Sequence, residues 1–188
     1  MDDGDKPNSS PTSPAAPLIE KLPPSVRSVV EDYFGVTRSL LLAPIVFYRG
    51  MDKEGGFKHP VIYLAISSGA SALLAGILTL HPLSIPATLA TSMMLTFAAS
   101  GIAFGLSRAM GGKGSFEATF KVYAYSSCLT ILSAIPLLNL LSIFWIAALN
   151  FYGLREVQER GTLRTAVIIM LTSMLLTVLS VAHYLHIF

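Results

Sequence analysis

Histidines and one serine are the residues whose types and spacing suggest chemistry. His183 and His186 are three apart on one helical stretch, and His81 sits at a break between two apolar runs. Three imidazoles could ligate zinc, although interfacial histidines without a ligand role are far commoner. Ser71, in Gly69-Ala70-Ser71-Ala72, could act as a nucleophile if His183 lay within hydrogen-bond reach as its base. Their depths differ, because Ser71 falls near the middle of its apolar run and His183 near the far end of its own. Met110-Gly111-Gly112-Lys113-Gly114-Ser115 is Gly-rich but follows no strand, and it reads as a flexible turn rather than a phosphate cradle. HExxH and dinucleotide motifs are missing. The apolar runs hold no acid or base inside their bodies, which argues against a proton-coupled pathway. The reading is a non-enzyme with no catalytic residue and no cofactor. It has no metal site beyond the weak set His81, His183 and His186.

The elements that carry these residues follow from where the charges fall. The chain has 188 residues, 53% of them hydrophobic and only 13% charged, with a net charge of +2. Its mean hydropathy is +0.63. An ordinary soluble domain has roughly 25% charged residues, so the excess apolar surface must face lipid or a large partner. The small net charge and the lack of basic stretches with interleaved aromatics exclude nucleic acid. One cysteine, Cys128, excludes a disulfide framework. The 13 basic and 11 acidic residues occupy three blocks: Asp2 to Lys58, Arg108 to Lys121 and Arg155 to Arg164. Between and after them lie the charge-free stretches His59 to Ser107, Val122 to Leu154 and Thr165 to Phe188.

A spanning helix needs roughly 20 apolar residues. Prolines in His81-Pro82-Leu83-Ser84-Ile85-Pro86 split the first stretch, and Pro136 splits the second. The expected fold is an all-α membrane protein with five transmembrane helices, near 61–80, 85–107, 119–135, 137–152 and 165–186. Cytoplasmic amphipathic or interfacial helices precede them. Five spans put every Lys and Arg on one side, which the positive-inside rule makes cytoplasmic. The N-terminus is then cytoplasmic and the C-terminus outside. Residues 1–24 read as a disordered tail, 25–58 as the interfacial segment and 59–188 as the membrane domain.

Within 25–58, Val26, Val29, Val30, Tyr33 and Phe34 recur at helical spacing opposite Arg27, Ser28, Glu31 and Asp32. Ser25 is expected to cap this helix and Gly35 to end it. Leu40 to Tyr48 is too short to span and is broken by Pro44. Arg38, Arg49, Lys53 and Lys58 sit where anionic head groups would meet them. Small residues at three- and four-residue spacing mark expected packing faces: Gly69, Ala72 and Gly76 in the first span, Gly101 and Gly105 in the second.

Three segments together resemble the Yip family of Rab-interacting five-span membrane proteins. They are Leu42 to Met51 with its Pro44, the run Gly111-Gly112-Lys113-Gly114-Ser115-Phe116-Glu117-Ala118-Thr119-Phe120-Lys121-Val122-Tyr123-Ala124-Tyr125, and Tyr152-Gly153-Leu154-Arg155 through Arg164-Thr165-Ala166. The similarity extends over about residues 35 to 188. The acidic-leading segment of eukaryotic members is replaced by Ser39-Leu40-Leu41-Leu42-Ala43-Pro44, which points to the bacterial branch and an inner-membrane location. The resemblance implies a membrane scaffold or adaptor in membrane organisation or trafficking. Its partners would be membrane lipids, another membrane protein or a GTPase, or a second copy of the chain. The contact candidates are Pro44, Phe47, Arg49, Gly111, Gly112, Lys113, Gly114, Phe116, Tyr123 and Tyr125. The runner-up is a small channel or transporter for an uncharged or lipid-like solute. Gly69-Ala70-Ser71-Ala72 with Ala182-His183 is also faintly similar to the serine and histidine motifs of rhomboid intramembrane proteases, whose six-span core is not matched.

Overall fold

A computed structural model describes residues 23–80, 82, 84–133, 135–159 and 161–187, with side chains at all of these except 24, 25, 79, 84, 136, 137 and 179–187. The expected tail, the Ser25 cap and the side chains of His81, His183 and His186 therefore lie outside the described residues. Every regular element among the described residues is helical.

The chain forms two compact units, residues 1–36 and 37–188. In the first, Arg27 and Glu31 pair at 2.7 Å one helical turn apart, and the Tyr33 and Phe34 rings meet edge to face. Helix α1 is Pro24–Leu42, so Gly35 does not end it. An interior glycine costs a helix only about 1 kcal/mol. The stop comes at Ala43, whose successor Pro44 disfavours helical backbone in the residue before it. Pro44 then opens α2, Pro44–Gly50, at a position where its missing N–H is no loss.

In the second unit, α3 is Lys58–Thr79 and α4 is Ser84–Ala109. Leu80 ends α3 in the left-handed region, capped by carbonyls of Gly76 and Ile77. Next, α5, Phe116–Ser126, passes into a 3₁₀ turn at Ser127–Leu129 and a single α-turn, α6, Thr130–Ser133. The expected third span is thus a broken helix. Serine and threonine hydroxyls account for the break. Ser127, Thr130 and Ser133 each donate to the carbonyl three residues earlier, the Ser126 hydroxyl lies within reach of both the Tyr123 carbonyl and the Asn150 amide oxygen, and the Ser71 hydroxyl donates to the Thr130 carbonyl at 2.8 Å. Such bonds compete with the regular helical ladder. Ile135 is extended before Pro136, where α7, Pro136–Gln158, begins. It runs beyond the expected end at Tyr152, because Arg155 and Glu156 prolong the helix past the apolar run. Helix α8 is Thr162–Ile187.

Side-chain contacts set the helix directions. Leu64 packs with Phe120 and Ala124, Val61 and Phe116 flank that cluster, and Ser71 meets Thr130, so α3 and α5 run parallel. Phe104 meets Phe116 and Phe97 stacks on Phe120, so α4 runs opposite to α5. Thr119 bonds Gln158 and Ser126 bonds Asn150, so α7 also runs opposite to α5. The starts of α3, α5 and α8 and the ends of α4 and α7 consequently share one end of the bundle.

Among the described residues, three helical stretches are long and apolar enough to cross a membrane: Lys58–Leu78, Ile85–Ala109 and Leu138–Gln158. Thr162–Val178 is a shorter apolar one. Their flanks expose Leu73, Met94, Phe144, Met170 and Met174. Water would penalise such surface at about 25 cal/mol per Å², whereas lipid tails would not.

Candidate functional site: the charged end of the bundle

Every described Lys, Arg, Asp and Glu from Arg49 onward lies in the loops or helix ends at the shared end. Ser115 caps α5, its hydroxyl accepting from the Ala118 N–H at 3.1 Å. This cap aims the first turn, with Phe116, Glu117 and Phe120, at the loop that precedes α3. Phe57 of that loop sits 6.0 Å from the Phe116 ring and 5.6 Å from the Phe120 ring.

Below the aromatic contacts lies an ionic knot. Lys121, with only 4% of its side chain exposed, pairs with Glu117 at 2.7 Å and donates to the Asp52 carbonyl at 2.8 Å. Glu117 also accepts from the Gly56 N–H at 2.5 Å. Its hydrogen bond to Lys121 is the main reason its carboxyl is held below the usual range. Burial opposes that shift, and the Gly56 N–H assists it. Arg49–Glu156 at 3.4 Å and Lys53–Glu159 at 3.9 Å are exposed outer pairs, a type worth at most about 1 kcal/mol each.

A second knot holds the glycine loop. The buried Gln158 amide accepts from the Gly114 N–H at 3.0 Å and donates to the Thr119 hydroxyl at 2.9 Å. Thr119 in turn donates to the Ser115 carbonyl. The loop lies so close to α7 that a Cβ on Gly114 would sit 2.8 Å from the Val157 carbonyl oxygen. Gly112 is buried and donates to the Ser107 carbonyl at 2.6 Å, while Gly111 and Lys113 face outward. The loop is therefore a fastened plate, not a loose turn, with Lys113 on its exposed face.

The other sequence-derived candidates distribute as follows. Pro44 opens α2, whose Tyr48 is fully buried against Gly153, where a Cβ would approach the ring carbon Cζ to 2.9 Å. Phe47 meets Tyr125 edge to face at 5.4 Å, and Tyr125 meets Tyr63 at 5.1 Å, so Tyr125 helps dock α2 on the bundle. Arg49 is exposed beside Glu156. Tyr123 turns the other way, into a cleft inside the bundle. Ala72 is buried, and Gly76 is buried in α3. A Cβ on Gly69, Gly101 or Gly105 would meet no atom within 4 Å, so no close helix approach depends on these three. Ser71 is engaged with the Thr130 carbonyl. Among the described residues, no group of three His, Cys, Asp or Glu could hold a metal.

Sequence reasoning missed Gln158, Thr119 and the Glu117–Lys121 pair as fasteners, and Asn150 as a polar group inside the bundle. The available signal was a lone amide or charge beside an apolar run.

Comparison with curated proteins and with solved structures gave no match. The Yip1 domain family model does match, over residues 38–183, from the end of α1 through the glycine plate and both knots into α8. With most of its length covered, the chain belongs to the Yip1 domain family.

Proposed function

We propose that this chain is a five-span membrane scaffold of Yip type, of the bacterial branch and the inner membrane, acting in membrane organisation through contacts at its charged end. The observation that carries this reading is the fastened plate. The glycine loop, the loop before α3 and the end of α7 are fastened by side-chain hydrogen bonds, while Lys113, Arg108, Arg155 and Arg164 remain exposed around them. A rigid surface with exposed cations suits anionic head groups and acidic partners. The alternating helix directions support five passes, with the charged end and N-terminus cytoplasmic and the C-terminus outside. The bent α5–α6 segment, its α5 and 3₁₀ part largely buried by the neighbours, would be the third pass.

Two experiments test this. Cysteine labelling of Ser84→Cys and Ser115→Cys in intact cells should mark only the former from outside; external labelling of Ser115→Cys overturns the topology. A photo-crosslinking amino acid at Lys113 or Arg155 should give a discrete protein adduct absent from Met174. Equal adducts at all three positions count against a scaffold.

The solute-pathway reading has one feature in its favour, the cleft that Tyr123 faces. Between it and the charged end, Ala103, Thr119, Leu154, Thr165 and Ile168 are at most 1% exposed. That packed layer offers no continuation, so the scaffold reading is preferred.

A further inference from the structure

Five elements, α4, α5 with its 3₁₀ turn, α6, α7 and α8, surround a cleft of about 330 Å³. This is the size of a small-molecule site. Its lining mixes aliphatic side chains with the hydroxyls of Thr96, Tyr123, Ser127, Thr130 and Thr172. The lining carries no ionisable Lys, Arg, His, Asp or Glu.

Asn150 supplies a polar group on the cleft wall that a ligand could bond. It is 8% exposed, and the Ser126 hydroxyl is shared between its amide oxygen at 2.8 Å and the Tyr123 carbonyl at 3.0 Å. A hydroxyl has one proton, so it donates to one of them only. If it bonds the amide oxygen, the Asn150 NH₂ is left facing the cleft. If it bonds Tyr123, the amide turns its NH₂ to Ser126 and leaves its oxygen facing the cleft. Either way one end of the carboxamide has no protein partner and is open to the cleft. Asn150 is eight residues from Gln158, about 12 Å along the helix from the charged end. In the bilayer reading this places it inside the hydrocarbon layer.

The broken helix points to the same place. The 3₁₀ turn contributes Ser127 to the lining. Leu95, Ile143, Ala147 and Ser173 on the lining are exposed, so the cleft is open rather than sealed.

From this geometry we infer that the cleft binds the head of a neutral, hydroxyl-bearing lipid of the diacylglycerol kind. A hydroxyl both donates and accepts, so it matches Asn150 in either orientation. The uncharged lining would leave a phosphate head group without a counter-charge. Acyl chains would leave past Leu95 and Ile143 into the membrane. The inference rests on the bilayer-embedded reading and not on the scaffold role.

The test uses the full chain in phosphatidylcholine nanodiscs doped with a diazirine-bearing diacylglycerol. Photolabel should map to peptides holding Ile143 to Asn150 and Ile169 to Leu176. Unlabelled diacylglycerol should compete, and added phosphatidylcholine should not. Asn150→Leu should lower labelling roughly five- to tenfold, the worth of one hydrogen bond. Ala147→Trp, an exposed position that needs no repacking, should lower it by steric filling. Label spread over all helix flanks, competition by phosphatidylcholine, or undiminished labelling of Ala147→Trp overturns the proposal. Resistance to alkaline carbonate extraction reads membrane insertion separately, so a failure there is distinguishable from a failure of the cleft.

Discussion

Replacing Lys121 by methionine is the sharpest probe of the charged end. Methionine keeps most of the apolar stem in place and removes only the ammonium. Two charge-assisted bonds go with it, to Glu117 at 2.7 Å and to the Asp52 carbonyl at 2.8 Å. Bonds to charged groups contribute about 1.5–3 kcal/mol each, and breaking a buried pair from one side costs about 3–5 kcal/mol. Glu117 keeps 21% of its side chain exposed and retains the Gly56 N–H, so water relieves part of its stranded charge. The expected loss is therefore at the lower end, about 3 kcal/mol. For a chain of this size that lowers the unfolding midpoint by roughly 6–12 °C. Thermal unfolding in mild detergent, with equilibrium unfolding in mixed micelles as a second measure, reads the change. Lys121→Met combined with Glu117→Gln should be less damaging than the two losses added, with coupling of about 1 kcal/mol or more. A Lys121→Met loss below about 0.5 kcal/mol, or strict additivity, would refute the claim that this pair fastens the loop before α3 to α5.

Three further outcomes follow from the same geometry. Glu117 has its carboxyl held low by Lys121, so its contribution is fully present above the unfolded value near pH 4.3 and is lost as pH falls through the lower folded value. Glu117→Gln should therefore be less stable than the parent at pH 6, and the gap should close below about pH 4 in a pH series of melts. Gly114→Ala should destabilise by about 1–3 kcal/mol, because its Cβ would press on the Val157 carbonyl, a backbone atom that cannot swing aside; protease nicking between residues 108 and 116 should rise with it. Tyr48→Phe should be neutral or raise stability by about 1 kcal/mol, since the Tyr48 hydroxyl is buried without a partner; a clear loss would mean that the hydroxyl is satisfied.

Much of the architecture was readable from one dimension. Lys, Arg, Asp and Glu are costly in lipid, so their absence over 59–107 and 122–154 marked apolar helices, and prolines marked most breaks. Proline also overruled glycine: α1 continued through Gly35 and stopped before Pro44, as backbone sterics require. The broken α5–α6 segment was not readable. Its hydroxyls could bond their own backbone or a neighbouring helix, and only the packing of Ser71 against Thr130 decides. The site divided in the same way. Gly112, Gly114 and Lys113 were singled out as a turn, yet that turn is a fixed plate because Gln158, more than forty residues onward, holds it. Tyr123 and Tyr125 looked equivalent, two residues apart in one motif. A helix turns about 100° per residue, so one docks α2 and the other faces the cleft.

Composition and charge order thus determined by themselves that this is an apolar helical protein with its charges confined to a few blocks of the sequence, since an unpaired charge is costly to bury whatever the fold. Tertiary structure alone decided which polar groups find partners. Lys121 meets Glu117, Gln158 meets Gly114, and Asn150 is left with one end of its amide facing a cleft, because hydrogen bonds are satisfied by position in space and not by distance along the chain.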